Sequence, residues 1–220
     1  MFQKILVAED FDSINIAVAK AFEDTPATVV NVKYCDEGLL KIKRALADGE
    51  PFDLLISDLS FVPCGRQEQL TSGEELIAAV RAVQPDIKII AYSIEDKAYR
   101  IKTLFAKLCI SGYVFKGRNS IADLRLAVEQ VYSNKTFISP SLAHTLSDRS
   151  LGDIDDYDIA LLQLLSTGIK QDAIAAKLRE RALSPNSVSA VEKKINRLRI
   201  IFGANNATHL VSLAKDLRVI

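Results

Sequence analysis

Short apolar runs alternate with helical stretches over the first 132 residues. Lys4–Ala8 (KILVA), Leu54–Ser57 (LLIS), 88–92 (KIIAY) and 113–115 are largely continuous apolar runs and 29–34 (VVNVKY) is β-branched, as expected of strands in a parallel sheet covered by helices. Between and after them, 13–23, 36–48, Gly73–Val83, 97–108 and 121–132 place apolar residues at helical spacing, and Pro85 lies just beyond the third. Five such strand–helix units with right-handed crossovers predict a flavodoxin-like, doubly wound, parallel five-stranded sheet in the order 2-1-3-4-5.

The pattern then changes. Residues 133–150 (SNKTFISPSLAHTLSDRS) are polar, contain Pro140, and carry no long periodic run, so they read as a linker. From Asp156 onward only helical periodicity appears, over 157–165, 172–178, 189–202 and 207–217. The organisation expected is therefore an α/β domain at 1–132, a linker at 133–153 and a small all-α domain at 154–220.

Composition narrows the class. Of the 220 residues, 49% are hydrophobic and 25% charged, the balance of a chain that can bury a core. A formal net charge of zero gives the whole molecule no signature of a polyanion partner. Cys35, Cys64 and Cys109 fit no metal or disulfide spacing, which points to a reducing, cytoplasmic setting. Lys4, Glu9 and Asp10 interrupt the N-terminus, against a leader peptide, and no apolar run nears the roughly 20 residues that span a bilayer, so no membrane association is expected.

In a doubly wound sheet, ligands sit outside the carboxyl ends of the strands, at the switch between the first and third. Glu9 and Asp10 follow the first strand and Asp58 the third. Three carboxylates gathered there need a cation or protons to balance them. With only oxygen ligands on offer, a hard cation such as Mg²⁺ fits.

Taken with Ser93, Tyr113 and Lys116 at the ends of the fourth and fifth strands, these residues resemble the receiver domain of two-component response regulators. The resemblance implies that Asp58 in LLISDLS accepts a phosphoryl group from a cognate sensor histidine kinase. It makes Asp10 a direct Mg²⁺ ligand, Glu9 a ligand through water, and the Ser60 carbonyl the remaining protein ligand. Ser93 becomes the switch hydroxyl, Tyr113 the switch aromatic, and Lys116 the cation beside the phosphoryl group. Ser60 and Glu95 fall where receivers tune the lifetime of the aspartyl phosphate. The only catalysis implied is the domain's own phosphorylation and dephosphorylation. Two departures stand out: Gly117 follows Lys116 where proline is common, and 61–72 (FVPCGRQEQLTS, with Cys64 and Arg66) is a longer loop than usual.

The C-terminal helices resemble a LuxR-type (NarL/FixJ-like) helix-turn-helix. LLQLLSTGIKQDAIAAKL (161–178) matches its first two helices, with Gly168 in the turn. Val191, Ile195, Leu198 and Phe202, followed by Gly203, match the apolar side of a recognition helix. The other side offers Lys193, Lys194, Asn196, Arg197 and Arg199 as DNA contacts. Between 170 and 202, eight Lys/Arg stand against three Asp/Glu, a basic surplus of five in a neutral chain. The turn at 179–189 is long for this family, and Glu192 occupies a position where a basic or polar contact is expected. The resemblance implies a transcription regulator that binds double-stranded DNA, as a homodimer when phosphorylated. An interaction module docking a protein through 207–220 is the alternative.

Overall fold

A computed structural model describes residues 1–62, 65, 68–142, 154–216 and 219–220. Cys64, Arg66 and the expected linker from 143 to 153 lie outside the described residues. The chain forms two compact units, Met1–Ser147 and Asp148–Ile220. No helix among the described residues is long and apolar enough to cross a membrane.

In the first unit, β1 (Lys4–Ala8), α1 (Asp12–Ala21), β2 (Thr28–Val32), α2 (Cys35–Ala47), β3 (Leu54–Ser57), α3 (Gly73–Val83), β4 (Lys88–Ser93), α4 (Ala98–Leu108), β5 (Gly112–Phe115) and α5 (Ser120–Tyr132) follow in strict alternation. The sheet is parallel, in the order β2-β1-β3-β4-β5-β6. The expected five strands and their order are present, with one correction. A sixth strand, β6 (Phe137–Ile138), pairs with Gly112 and Tyr113 of β5, and a 3₁₀ turn at Pro140–Leu142 follows it. It falls within the polar segment after α5, where two paired residues are too few to give a periodic signal.

Alternation along the strands sorts side chains onto two cores. Leu6, Ala8, Leu55, Ile89, Ala91 and Tyr113 pack with α2, α3 and α4, whereas Ile5, Val7, Leu54, Ile56, Ile90, Tyr92 and Val114 pack with α1 and α5. Because both faces are covered, β1, β3, β4 and β5 are buried almost throughout. The register places Ala8 beside Ser57, Ser57 beside Ala91, and Ser93 beside Phe115. The residues that follow β1, β3 and β5, together with Ser93 at the end of β4, therefore emerge along one edge.

The second unit packs α6 (Asp156–Ser166), α7 (Gln171–Glu180), α8 (Val188–Phe202) and α9 (Ala207–Asp216) around Leu161, Leu162, Ile174, Leu178, Val191, Ile195, Leu198 and Leu210. Asp155 opens α6 with a full capping box: its side chain accepts the Asp158 N–H while Asp158 accepts that of Asp155. Ser187 caps α8, which ends at Gly203 in the left-handed region (φ 64°), where a side chain would be strained. The long turn before α8 is pinned by the Tyr157 hydroxyl, which donates to the Pro185 carbonyl.

Candidate functional site

Glu9, Asp10 and Asp58 converge where β1 and β3 end, with one ligand oxygen from each lying within 4.8 Å of the others. Backbone pairing fixes them there: Glu9 N–H donates to Val32 O (3.0 Å) and Asp58 N–H to Ala8 O (2.9 Å). Lys116 is set by its own N–H on Ser93 O (2.8 Å), and its Nζ reaches both Glu9 Oε2 and Asp58 Oδ2 at 2.6 Å. The four groups expected to form the site are thus brought together.

The charges do not cancel. Three carboxylates and one ammonium leave a formal −2, the charge a divalent cation would offset. Asp10 adds a second sign of fit: its Oδ2 accepts the Val62 N–H (2.9 Å), while its Oδ1 is buried with no hydrogen-bond partner. Burial raises the Glu9 carboxyl above its ordinary range even though Lys116 pulls the other way. For Lys116, burial works to lower the ammonium, but its bonds to Asp58 and Glu9 outweigh that and raise it. The donor set therefore suits a hard divalent cation held by Asp10, Asp58 and Glu9.

Asp58 is aimed by its own loop, whose Leu59 and Ser60 N–H groups donate to Oδ1 at 2.6 and 3.2 Å. Ser60 also bridges antiparallel to Ser72, so the residues on either side of the long loop are joined. Farther along that loop, the Gln69 and Leu70 N–H groups bind the Asp36 carboxylate of α2 at 2.9 and 3.0 Å. Ser93 is buried, and its hydroxyl accepts the Glu95 N–H (3.3 Å). Tyr113 is 0% exposed and donates its hydroxyl to the Glu95 carbonyl at 2.6 Å, so the ring already lies inward. Burial raises the Tyr113 phenol, keeping it a neutral donor.

Three contributors were not singled out from the sequence. Asn15 of α1 donates to the Glu9 carbonyl (2.7 Å), fixing the first carboxylate's backbone. The Tyr92 ring lies under the Lys116 ammonium, 5.1 Å from centroid to Nζ. Gly73, the first residue of α3, lets that helix rest on the loop that follows β3: a Cβ there would lie 1.7 Å from the Asp58 carbonyl oxygen. Its sequence signal is the Ser72-x-x-Glu75 capping pattern, with glycine at the first helical position.

The second unit redistributes the expected DNA contacts. Lys193 and Asn196 are exposed on α8, alongside Glu192 and Ile200, the last 82% exposed. Lys194 instead turns toward α6, reaching Asp158 Oδ1 (3.0 Å), Asp155 Oδ2 (3.5 Å) and the Tyr157 ring. Arg197 lies 3.8 Å from the other oxygen of Asp158, which is fully buried. Arg199 donates to Asn196 Oδ1 and to the Asn205 carbonyl beyond the helix end. Burial opposes ionisation of Asp155, but the Asp158 N–H and Lys194 hold its carboxyl below the usual value. Counting Asp155 and Asp158, which reach Lys194 and Arg197 of α8, the local basic surplus falls from five to three. The exposed cations of this unit include Lys170, Lys177, Arg179, Arg181 and Lys193.

No family model matches the chain, and no curated protein does. Solved structures do match. A structure of two RcsB dimers bound to two parallel DNAs aligns over 97% of this chain and 98% of that one, at 20% identity and a TM-score of 0.66. RcsB from Salmonella enterica serovar Typhimurium, bound to promoter P1flhDC in the presence of phosphomimetic BeF3−, covers 96% of this chain and 97% of its own, at 20% identity and TM-score 0.62. The isolated REC domain of the same Salmonella protein covers 66% of this chain and 99% of its own, at 21% identity and TM-score 0.54. The likeness establishes the fold: a receiver-like α/β unit followed by a helical unit, as in the full-length response regulator RcsB.

Proposed function

We propose that this protein is a phosphorylation-controlled response regulator that accepts a phosphoryl group on Asp58 and binds double-stranded DNA through its C-terminal unit. The observation that carries the reading is the Glu9–Asp10–Asp58–Lys116 constellation on one sheet edge, with a net charge that calls for a divalent cation. The RcsB structures, solved with DNA and with a phosphoryl mimic, support it by analogy of fold.

In the step proposed, a carboxylate oxygen of Asp58 attacks the phosphorus of a phosphohistidine or a small acyl phosphate. With acetyl phosphate, the bond between phosphorus and the acetyl oxygen breaks, acetate leaves with that electron pair, and no proton is transferred. Bound Mg²⁺ would supply positive charge to the phosphoryl oxygens. Lys116 neutralises Asp58 and faces the incoming group, the Leu59 and Ser60 N–H groups hold the carboxylate in line, and the Ser93 hydroxyl, which accepts from Glu95 and bonds the Tyr113 hydroxyl, would turn its proton to a phosphoryl oxygen. Tyr113 and the loop it bonds form the face that reads the change. A cognate sensor histidine kinase as donor, dimerisation on phosphorylation, and a cytoplasmic setting belong to the same proposal.

For DNA contact, Lys193 and Asn196 are the exposed candidates on α8, whereas Lys194, Arg197 and Arg199 brace the helix. The engagement of Lys194 and Arg197, with Ile200 exposed beside them, also favours a second reading in which this unit docks a protein partner.

Both levels are testable on the full chain. Asp58→Ala should abolish the mass increase produced by acetyl phosphate with Mg²⁺; persistence of that increase would overturn the phosphoacceptor. Binding to random duplex fragments across a salt series, with and without beryllofluoride, separates the outputs. Salt-sensitive binding that strengthens with beryllofluoride supports DNA, and its absence, with beryllofluoride still engaging Asp58, supports a protein partner.

A further inference from the structure

We propose that Arg100 is a positioning residue for the chemistry at Asp58, acting through Glu95; the inference rests on the phosphoacceptor reading above. Arg100 lies in the first turn of α4, and its guanidinium gathers two carboxylates. One is Glu74, which its NH2 group bonds; the other is Glu95, whose Oε2 lies 3.9 Å from its Nε. All three side chains are partly buried, so this charge is screened less than at an open surface.

Each carboxylate belongs to a segment that matters at the site. Glu74 follows Gly73, the residue seated on the Asp58 carbonyl. Glu95 supplies the carbonyl that receives the Tyr113 hydroxyl and the N–H that binds Ser93. Its carboxylate is drawn the other way: Oε1 accepts the Lys97 N–H (2.9 Å) at the start of α4, whose N-cap residue, Lys97, contributes no side-chain cap of its own. The Glu95 backbone thus serves the switch while its charge is led off toward α3 and α4. Without the guanidinium, Glu74 and Glu95 repel each other, and the freed Glu95 carboxylate swings on a loop tethered to Ser93. A further negative charge then faces an incoming dianionic phosphoryl group.

The test compares phosphorylation of Asp58 by acetyl phosphate and Mg²⁺, followed by intact mass, in the full-length wild type, Arg100→Ala, Glu95→Gln and the double variant. Arg100→Ala should slow the reaction by about fivefold, the order expected for one uncompensated, partly screened charge. Glu95→Gln sets the reference rate for a site without that carboxylate charge, and adding it to Arg100→Ala should bring the rate back to that reference, removing the penalty of losing Arg100. A merely structural role for Arg100 would not be rescued by removing a charge elsewhere. If Arg100→Ala matches wild type, or if the double variant stays as slow as Arg100→Ala, the inference is overturned while the phosphoacceptor stands. A wild type that takes no phosphoryl group overturns both.

Discussion

Gly73→Ala is the most exacting test of how the site is assembled. The added Cβ would lie 1.7 Å from the Asp58 carbonyl oxygen, 2.8 Å from its carbon and 2.9 Å from the Leu59 Cα, all backbone atoms that cannot rotate away. Reaching an acceptable carbon–oxygen contact requires about 1.5 Å of new separation between α3 and the Asp58 loop. Overpacking of this kind costs about 3 kcal/mol, and alanine's better helix propensity returns less than about 1 kcal/mol, for a net loss near 2 kcal/mol. A typical domain survives that loss. The larger effect falls on chemistry, because a misplacement of about 1 Å slows a positioned reaction by roughly a hundredfold. Gly38→Ala is the control: there a Cβ meets only side-chain methyls of Leu76 and Val32 at 3.4 Å, inside α2 where alanine is favoured. Urea unfolding by far-UV circular dichroism should show about 2 kcal/mol lost for Gly73→Ala and less than about 1 kcal/mol of change for Gly38→Ala. Acetyl phosphate kinetics should separate the two by roughly two orders of magnitude. A Gly73→Ala protein as stable and as fast as Gly38→Ala would refute the reasoning.

Three other outcomes are expected. Lys116→Ala leaves Glu9 and Asp58 buried without their cation, so the first unit should lose about 3 kcal/mol in urea, with Mg²⁺ recovering more for the variant than for wild type; a loss below about 1 kcal/mol would contradict the pairing. Asp158→Asn keeps a capping group but strips Lys194 and Arg197 of their buried charge partner, and should lower the helical unit's unfolding transition by about 3 kcal/mol while leaving the first unit's in place. Two stationary transitions would show the cluster to be ornamental. Cys35 is buried and its thiol pushed up to about 12, so iodoacetamide at pH 8 should label exposed Cys109 in the native protein and spare Cys35, as mass mapping would show.

The first unit was legible because parallel strands buried on both faces need unbroken apolar runs, and the register then fixes which residues share an edge. Leu54–Ser57 and Gly73–Val83 fall where the pattern predicts them, and Glu9, Asp10, Asp58 and Lys116 meet as strand order requires. What stayed hidden depends on approach between distant segments. Nothing local distinguishes Gly73 from any glycine opening a helix, yet it is the point where α3 touches Asp58. Asp155 and Asp158 cap α6, and only the packing of α6 on α8 reveals that Asp158 also draws two cations of α8 inward. A charge count along a window cannot include acids from another helix.

The short sixth strand has a consequence for solubility. Ser111 O receives the Phe137 N–H, Tyr113 O the Ser139 N–H, and the Phe115 N–H finds the Ser139 hydroxyl, so the outer row of β5 is saturated by a stretch too brief to template a further strand. A fragment cut at Tyr132 would expose that row as a sticky margin open to pairing between molecules, whereas one ending at Leu142 carries its own selvage.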